Sequence, residues 1–196
     1  MYFGYDYSAC RAFLIKILSI TGYYDIISAV IVMNINRDET CCFTGHRVIG
    51  SNDAQTVRGN LRQAIRMLYR EGIRCFISGG AIGFDTEAAA AVVEARRTIP
   101  EIRLVLALPC RDQDKLWNAS QKAEYSKILA EADEVVYVSE EYTGECMRKR
   151  NRFMVDNSCA VLTYIQRPFG GTAYTVNYAL DSGRRVINIL EVNDET

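Results

Sequence analysis

From residue 40 onward, short apolar runs alternate with amphipathic stretches in a regular order. Apolar runs at 40–43, 74–77, 104–108, 134–138, 160–165 and 186–190 predict strands. The stretches 53–71, 85–97, 117–132, 147–155 and 172–180 predict helices between them. In the first helix Val57, Leu61, Leu68 and either Ala64 or Ile65 fall on one face, and Gly72 supplies the stop. Strands buried on both faces and separated by helices imply a parallel sheet with helices on each side. The expected fold class is α/β: a Rossmann-like three-layer sandwich with a mainly parallel sheet. Its ligand is expected at the carboxyl edge, where strand order reverses.

The first 33 residues depart from this pattern. They are rich in Tyr and Ile, and their two apolar stretches, 12–20 and 26–33, are each too short to span a bilayer. They read as an extension outside the core, surplus to the domain, and residues 34–196 as one Rossmann-like domain. The chain carries 23 Lys and Arg against 24 Asp and Glu, a net charge of −1, so composition gives no announcement of nucleic-acid binding. Seven cysteines without a Cys-x-x-Cys spacing, beside no secretory leader, read as reduced and cytoplasmic. One histidine and no Cys or His cluster argue against a metal site.

The loops that follow the strands carry the chemistry. Two contain glycine pairs: Ser78-Gly79-Gly80-Ala81-Ile82-Gly83-Phe84-Asp85 and Gly170-Gly171-Thr172. Backbone without Cβ atoms approaches an anion closely, and a helix starting there offers free N–H groups. Two such turns suit a phosphorylated ligand gripped from both sides. Asp85 reads as the cap of its helix. Thr44-Gly45-His46-Arg47 adds a hydroxyl, bare backbone, an imidazole and a guanidinium, with Arg47 either pairing with phosphate or lying in solvent. Ser139 follows the fourth strand, and in the basic run 148–152 one or two side chains, Arg150 among them, can face the crevice together with Asn151. His46 and Arg150 are the candidate catalytic residues, with a ligand-positioning role for His46 as the alternative to proton transfer. Trp117 and Tyr142 are aromatic surfaces for either base stacking or packing.

With Thr44-Gly45-His46-Arg47, Ile77-Ser78-Gly79-Gly80-Ala81-x-Gly83-Phe84-Asp85, Leu108-Pro109-Cys110, Cys146-Met147-x-x-Arg150-Asn151-Arg152 and Gly170-Gly171-Thr172-Ala173-Tyr174-Thr175 in this order, the chain resembles the SLOG superfamily of Smf/DprA and LONELY GUY proteins. Within it the resemblance is to the YpsA-like bacterial branch. It implies a Rossmannoid domain that binds a nucleotide or nucleotide derivative, such as NAD, ADP-ribose or a nucleoside monophosphate. It also implies a sensor role in stress or cell division, and a homodimer.

Two alternatives accompany that reading. LONELY GUY enzymes release a base from a nucleoside monophosphate; here Met147 and Arg150 match their helix start, but Asn151 replaces a lysine and Asn177 a glutamate. An amide at 177 neither handles a proton nor stabilises an oxocarbenium-like charge as a carboxylate does. A DprA-like single-stranded DNA-binding module is the other alternative. On charge, nucleic acid is not expected as a partner, nor is a membrane.

Overall fold

The structure is a computed structural model that describes residues 35–192. The expectation for residues 1–33 lies outside the described residues. Six parallel strands form one sheet: β1 (Thr40–Gly45), β2 (Cys75–Ser78), β3 (Arg103–Leu108), β4 (Glu134–Tyr137), β5 (Ala160–Tyr164) and β6 (Arg185–Asn188). Their order across the sheet is β4-β3-β2-β1-β5-β6. The helices between them are α1 (Ala54–Arg70), α2 (Phe84–Arg96), α3 (Ala119–Glu131), α4 (Cys146–Asp156) and α5 (Gly171–Asp181).

The sheet is laid down from β1 near its centre outward to β4, and the chain then returns to place β5 on the other side of β1. Strand order therefore reverses between β1 and β5, the point beyond whose carboxyl ends open α/β sheets bind their ligands. Side-chain alternation divides the core into two layers. Cys41, Phe43, Phe76, Leu104, Leu106, Leu162 and Tyr164 share one layer with buried side chains of α1, α2 and α3. Cys42, Ile77, Val105 and Val161 share the other with Met154 and Val155 of α4 and Ala179 of α5. The fold is the α/β three-layer Rossmann-like sandwich.

Helix α1 buries both Ala64 and Ile65 along with Val57, Leu61 and Leu68, so the choice between them does not arise. A row of rings crosses the first layer: Phe43 stacks on Phe76 at 5.8 Å between centroids, and Phe84 on Tyr164 at 5.9 Å. Three local readings are corrected. β1 runs on to Gly45 because β5 pairs with it as far as Tyr164. α3 starts after Trp117, since Asn118 and Gln121 form a reciprocal capping box. Asp85 is not a cap: Gly83 holds that position at φ +84°, a conformation that disfavours side chains, and Asp85 lies inside the first turn.

Candidate ligand-binding site at the carboxyl edge

The β1 loop is held from three sides through His46. Its backbone N–H donates to the Tyr164 carbonyl (3.2 Å), its carbonyl accepts from the Phe84 N–H (3.1 Å), and its Nε2 accepts from the Gln166 N–H (3.0 Å). An Nε2 engaged as acceptor leaves the ring proton on Nδ1. Burial, with Arg167 nearby, lowers the His46 pKa below its ordinary value and keeps the ring neutral. His46 thus ties β1, the end of β5 and the start of α2 together. Beside it the Asp53 Oδ2 accepts from the Tyr164 hydroxyl (2.9 Å) and the Gln166 amide (2.8 Å).

The first glycine turn is filled from within. The Asp85 carboxylate, almost wholly buried, accepts from the backbone N–H groups of Gly79 and Ala81 and faces Arg150 at 3.7 Å. Burial nonetheless raises its pKa above the usual carboxylate range, against the pull of Arg150 and of those two donors. The Gly80 N–H donates to Ser78 Oγ (3.2 Å), and the Gly80 carbonyl accepts from Gln113 (3.2 Å). All three amides of the turn that could cradle an anion are engaged by the protein's own side chains. Ser78, Gly79, Gly80, Ala81, Asp85 and Arg150 come together in space, with their polar groups turned on one another.

Arg150 is itself buried. Its guanidinium donates to the Gly79 carbonyl and, through Nε, to Asn151 Oδ1 (2.8 Å). Asn151 Nδ2 donates to Thr175 Oγ1 (2.8 Å), which donates in turn to the Gly171 carbonyl (2.9 Å). A continuous polar line therefore joins the two glycine turns.

The second turn contrasts with the first. Gly170 sits at φ +94°, and α5 begins at Gly171 with no side chain capping it. A Cβ at either glycine would meet nothing within 4 Å. Among the described residues no group accepts from the N–H groups of Gly171, Thr172 or Ala173. An uncapped, open helix start of this kind favours an anion. At the switch point, Thr44 of β1 stands beside Thr163 of β5 in register, and the Thr163 hydroxyl is buried without a partner among the described residues.

A cleft of about 560 Å³ opens over the ends of β2, β3 and β4. Arg47 and Lys115 bring positive charge to it, and Ile82, Leu116, Trp117 and Tyr142 bring apolar surface. Leu116 and Tyr142 are 93% and 64% exposed, while Trp117 packs edge-on against Tyr125 at 5.3 Å. Its size falls within the range of small-molecule sites. The sequence reading missed Lys115, Leu116, Asp53 and Gln166; no motif marks them. Gly45 is covered by the Phe84 ring, which leaves no room for a Cβ there. Ser139 stands just beyond β4, half-buried. No group of three or more His, Cys, Asp or Glu among the described residues could hold a metal ion, and no helix among them is long and apolar enough to cross a membrane.

Comparison with known proteins agrees with this architecture. The chain is 34% identical over 125 residues to the uncharacterized SPbeta prophage-derived protein YoqJ of Bacillus subtilis (strain 168), covering 58% of this chain and 73% of that one. It is 25% identical over 167 residues to a UPF0398 protein of Bacillus pumilus (strain SAFR-032), covering 84% and 81%. Among solved structures, DNA processing protein A (DprA) of Streptococcus pneumoniae superposes with a TM-score of 0.58 at 19% identity, over 77% of this chain and 50% of that one. The Helicobacter pylori DprA gives 0.56 at 16%, over 79% and 66%. This chain therefore spans half to two thirds of those proteins, and the likeness is one of fold. The Helicobacter pylori structure is described by its single-stranded DNA binding mode, so the expectation that excludes nucleic acid gains no support from these neighbours. A family model described as the YspA SLOG family matches residues 42–189, and the chain belongs to that family.

Proposed function

We propose that the protein binds a nucleotide or nucleotide derivative, of ADP-ribose, NAD or nucleoside phosphate type, at the carboxyl edge of the sheet. The observation that carries this reading is the contrast between the two glycine turns. The first already holds the Asp85 carboxylate; the second offers three unclaimed N–H groups in open space. The ligand's phosphate lies on the start of α5, with Thr172 and the Gly170-Gly171 backbone around it. Its flat and apolar parts occupy the cleft beside Trp117 and Tyr142, with Arg47 and Lys115 as further anion contacts.

The protein acts in the cytoplasm as a sensor of that ligand, in stress or cell-division regulation, rather than as a hydrolase. Glycosidic cleavage needs a free carboxylate near the ribose. Asp85 is tied to two backbone donors and to Arg150, Glu145 pairs with Arg148 at 3.1 Å, and position 177 is an amide.

Thermal shift with NAD, ADP-ribose and AMP tests the reading, because stabilisation reports binding to the folded state. The comparison is with Gly171→Asp. That substitution has room for its side chain, suits a helix start, and puts a negative charge where the phosphate would sit. A shift in the native protein that Gly171→Asp abolishes supports the site; no shift with any compound ends the proposal.

A further inference from the structure

We propose that a second site, the groove along α1 away from the carboxyl-edge cleft, binds the phosphodiester backbone of a single-stranded nucleic acid. The groove lies between α1 and the edge strand β6, encloses about 1140 Å³ and extends from Asn52, just before the helix, along it to Arg70. Met67, Ile187 and Val192 give it half-buried apolar surface, and Arg62, Arg66, Arg70 and Arg185 line it with exposed positive charge.

The helix itself sets out this charge. Arg58, Arg62, Arg66 and Arg70 recur every four residues, so each step moves the side chain about 6 Å along the axis and about 40° around it. Arg58 and Arg62 meet Glu87 (2.7 Å) and Glu94 (3.0 Å) of α2. The continuing rotation carries Arg66 and Arg70 away from α2 and onto the groove. Among the described residues neither has a carboxylate partner there. Arg185 is balanced by Glu71 at 2.6 Å, and the one carboxylate among the described residues that line the groove, Glu191, stands with Asn188 at its end. In a chain of net charge −1, this is a local excess of positive charge in a concave setting.

Arginine forks suit phosphate oxygens. Their advance of about 6 Å per step is close to the interval between successive phosphates of an extended single strand. A flexible single strand can settle between a helix and a strand edge, which a stiff duplex cannot. Among the described residues no aromatic ring lines the groove, so bases find no stacking platform there, and binding is to the backbone and indifferent to sequence.

The test uses the full chain and a fluorescent oligothymidylate of about twelve nucleotides, titrated by anisotropy across about 50 to 200 mM salt. Binding is expected to weaken at least tenfold in Arg66→Glu/Arg70→Glu. The slope of log affinity against log salt should fall by about 1.4, at about 0.7 for each phosphate that is no longer neutralised. Arg66→Gln/Arg70→Gln should move both readouts in the same direction, which guards against a folding effect of charge reversal. Arg47→Glu, in the cleft, should leave affinity within about twofold. Undiminished binding in both Arg66/Arg70 double variants overturns the proposal, as does an equal loss on Arg47→Glu. Failure of the native chain to bind oligothymidylate while binding inorganic polyphosphate also overturns it, and so does equal displacement by polyglutamate.

Discussion

The Arg150 guanidinium lies in the space that a side chain at Gly79 would need, 71 residues earlier in the chain. The glycine is therefore there to let a buried cation reach the carbonyl of the turn, and the cation is there to face Asp85. Gly79→Ala should destabilise the fold by about 1–3 kcal/mol through overpacking. Arg150→Met should cost more, about 3–5 kcal/mol, because it leaves a buried carboxylate unpaired. Denaturant unfolding at neutral pH measures both. A loss under about 1 kcal/mol for Arg150→Met would mean that Asp85 does not depend on it.

Asp85 also sets a dependence on pH. Its pKa is raised by burial, so the folded protein holds this proton more tightly than the unfolded chain does. The stability from protonated Asp85 is complete below the ordinary carboxylate range and is lost as pH rises through the folded-state value. Asp85→Asn should flatten that part of the stability curve between native and variant. Parallel curves would contradict the assignment.

His46 works in the opposite direction. Its folded pKa lies below the ordinary 6.5, so the neutral ring is stabilised by folding. Stability from this group is present above pH 6.5 and is lost as pH falls through the lowered value. In His46→Gln the acid-side loss should diminish, and histidine titration followed by NMR should show no protonation at pH 6.5 beyond a minority. A ring that titrates at or above its ordinary value would remove the acceptor role toward Gln166.

Most of the architecture was legible because it rests on local pattern. The apolar runs at 104–108 and 160–165 can be little other than buried strands, and the α1 periodicity has one solution. The reading failed where two local rules predict the same residue. An Asp near a helix start is expected to cap it, and only the tertiary fold turns Asp85 back onto the amides of the preceding turn. The candidate site was legible as a set of loops but not as a set of bonds. Nothing in the spacing of Gly79, Arg150, Asn151 and Thr175 says that they satisfy one another. Lys115 and Leu116 belong to a loop without a motif, and only its place beside Arg47 brings them to the cleft.

Trp117 is the sole tryptophan of the chain, which makes the cleft directly observable. Ligand binding should change its emission, and Trp117→Phe should keep the affinity within a few-fold while abolishing the signal. Trp117→Ala should weaken binding roughly tenfold, in line with about 1–3 kcal/mol for a lost aromatic stacking surface. Unchanged emission at saturating ligand, with binding confirmed by calorimetry, would move the flat part of the ligand out of this cleft.

Because Asp85 already neutralises the cation under the first turn, the protein carries its own counter-ion into the fold. It does not have to borrow one from solution before it can fold, so the first turn is complete as soon as the chain has folded. On the proposed reading an incoming phosphate meets the second turn, with Arg47 and Lys115 in the neighbouring cleft, on a frame that is already set.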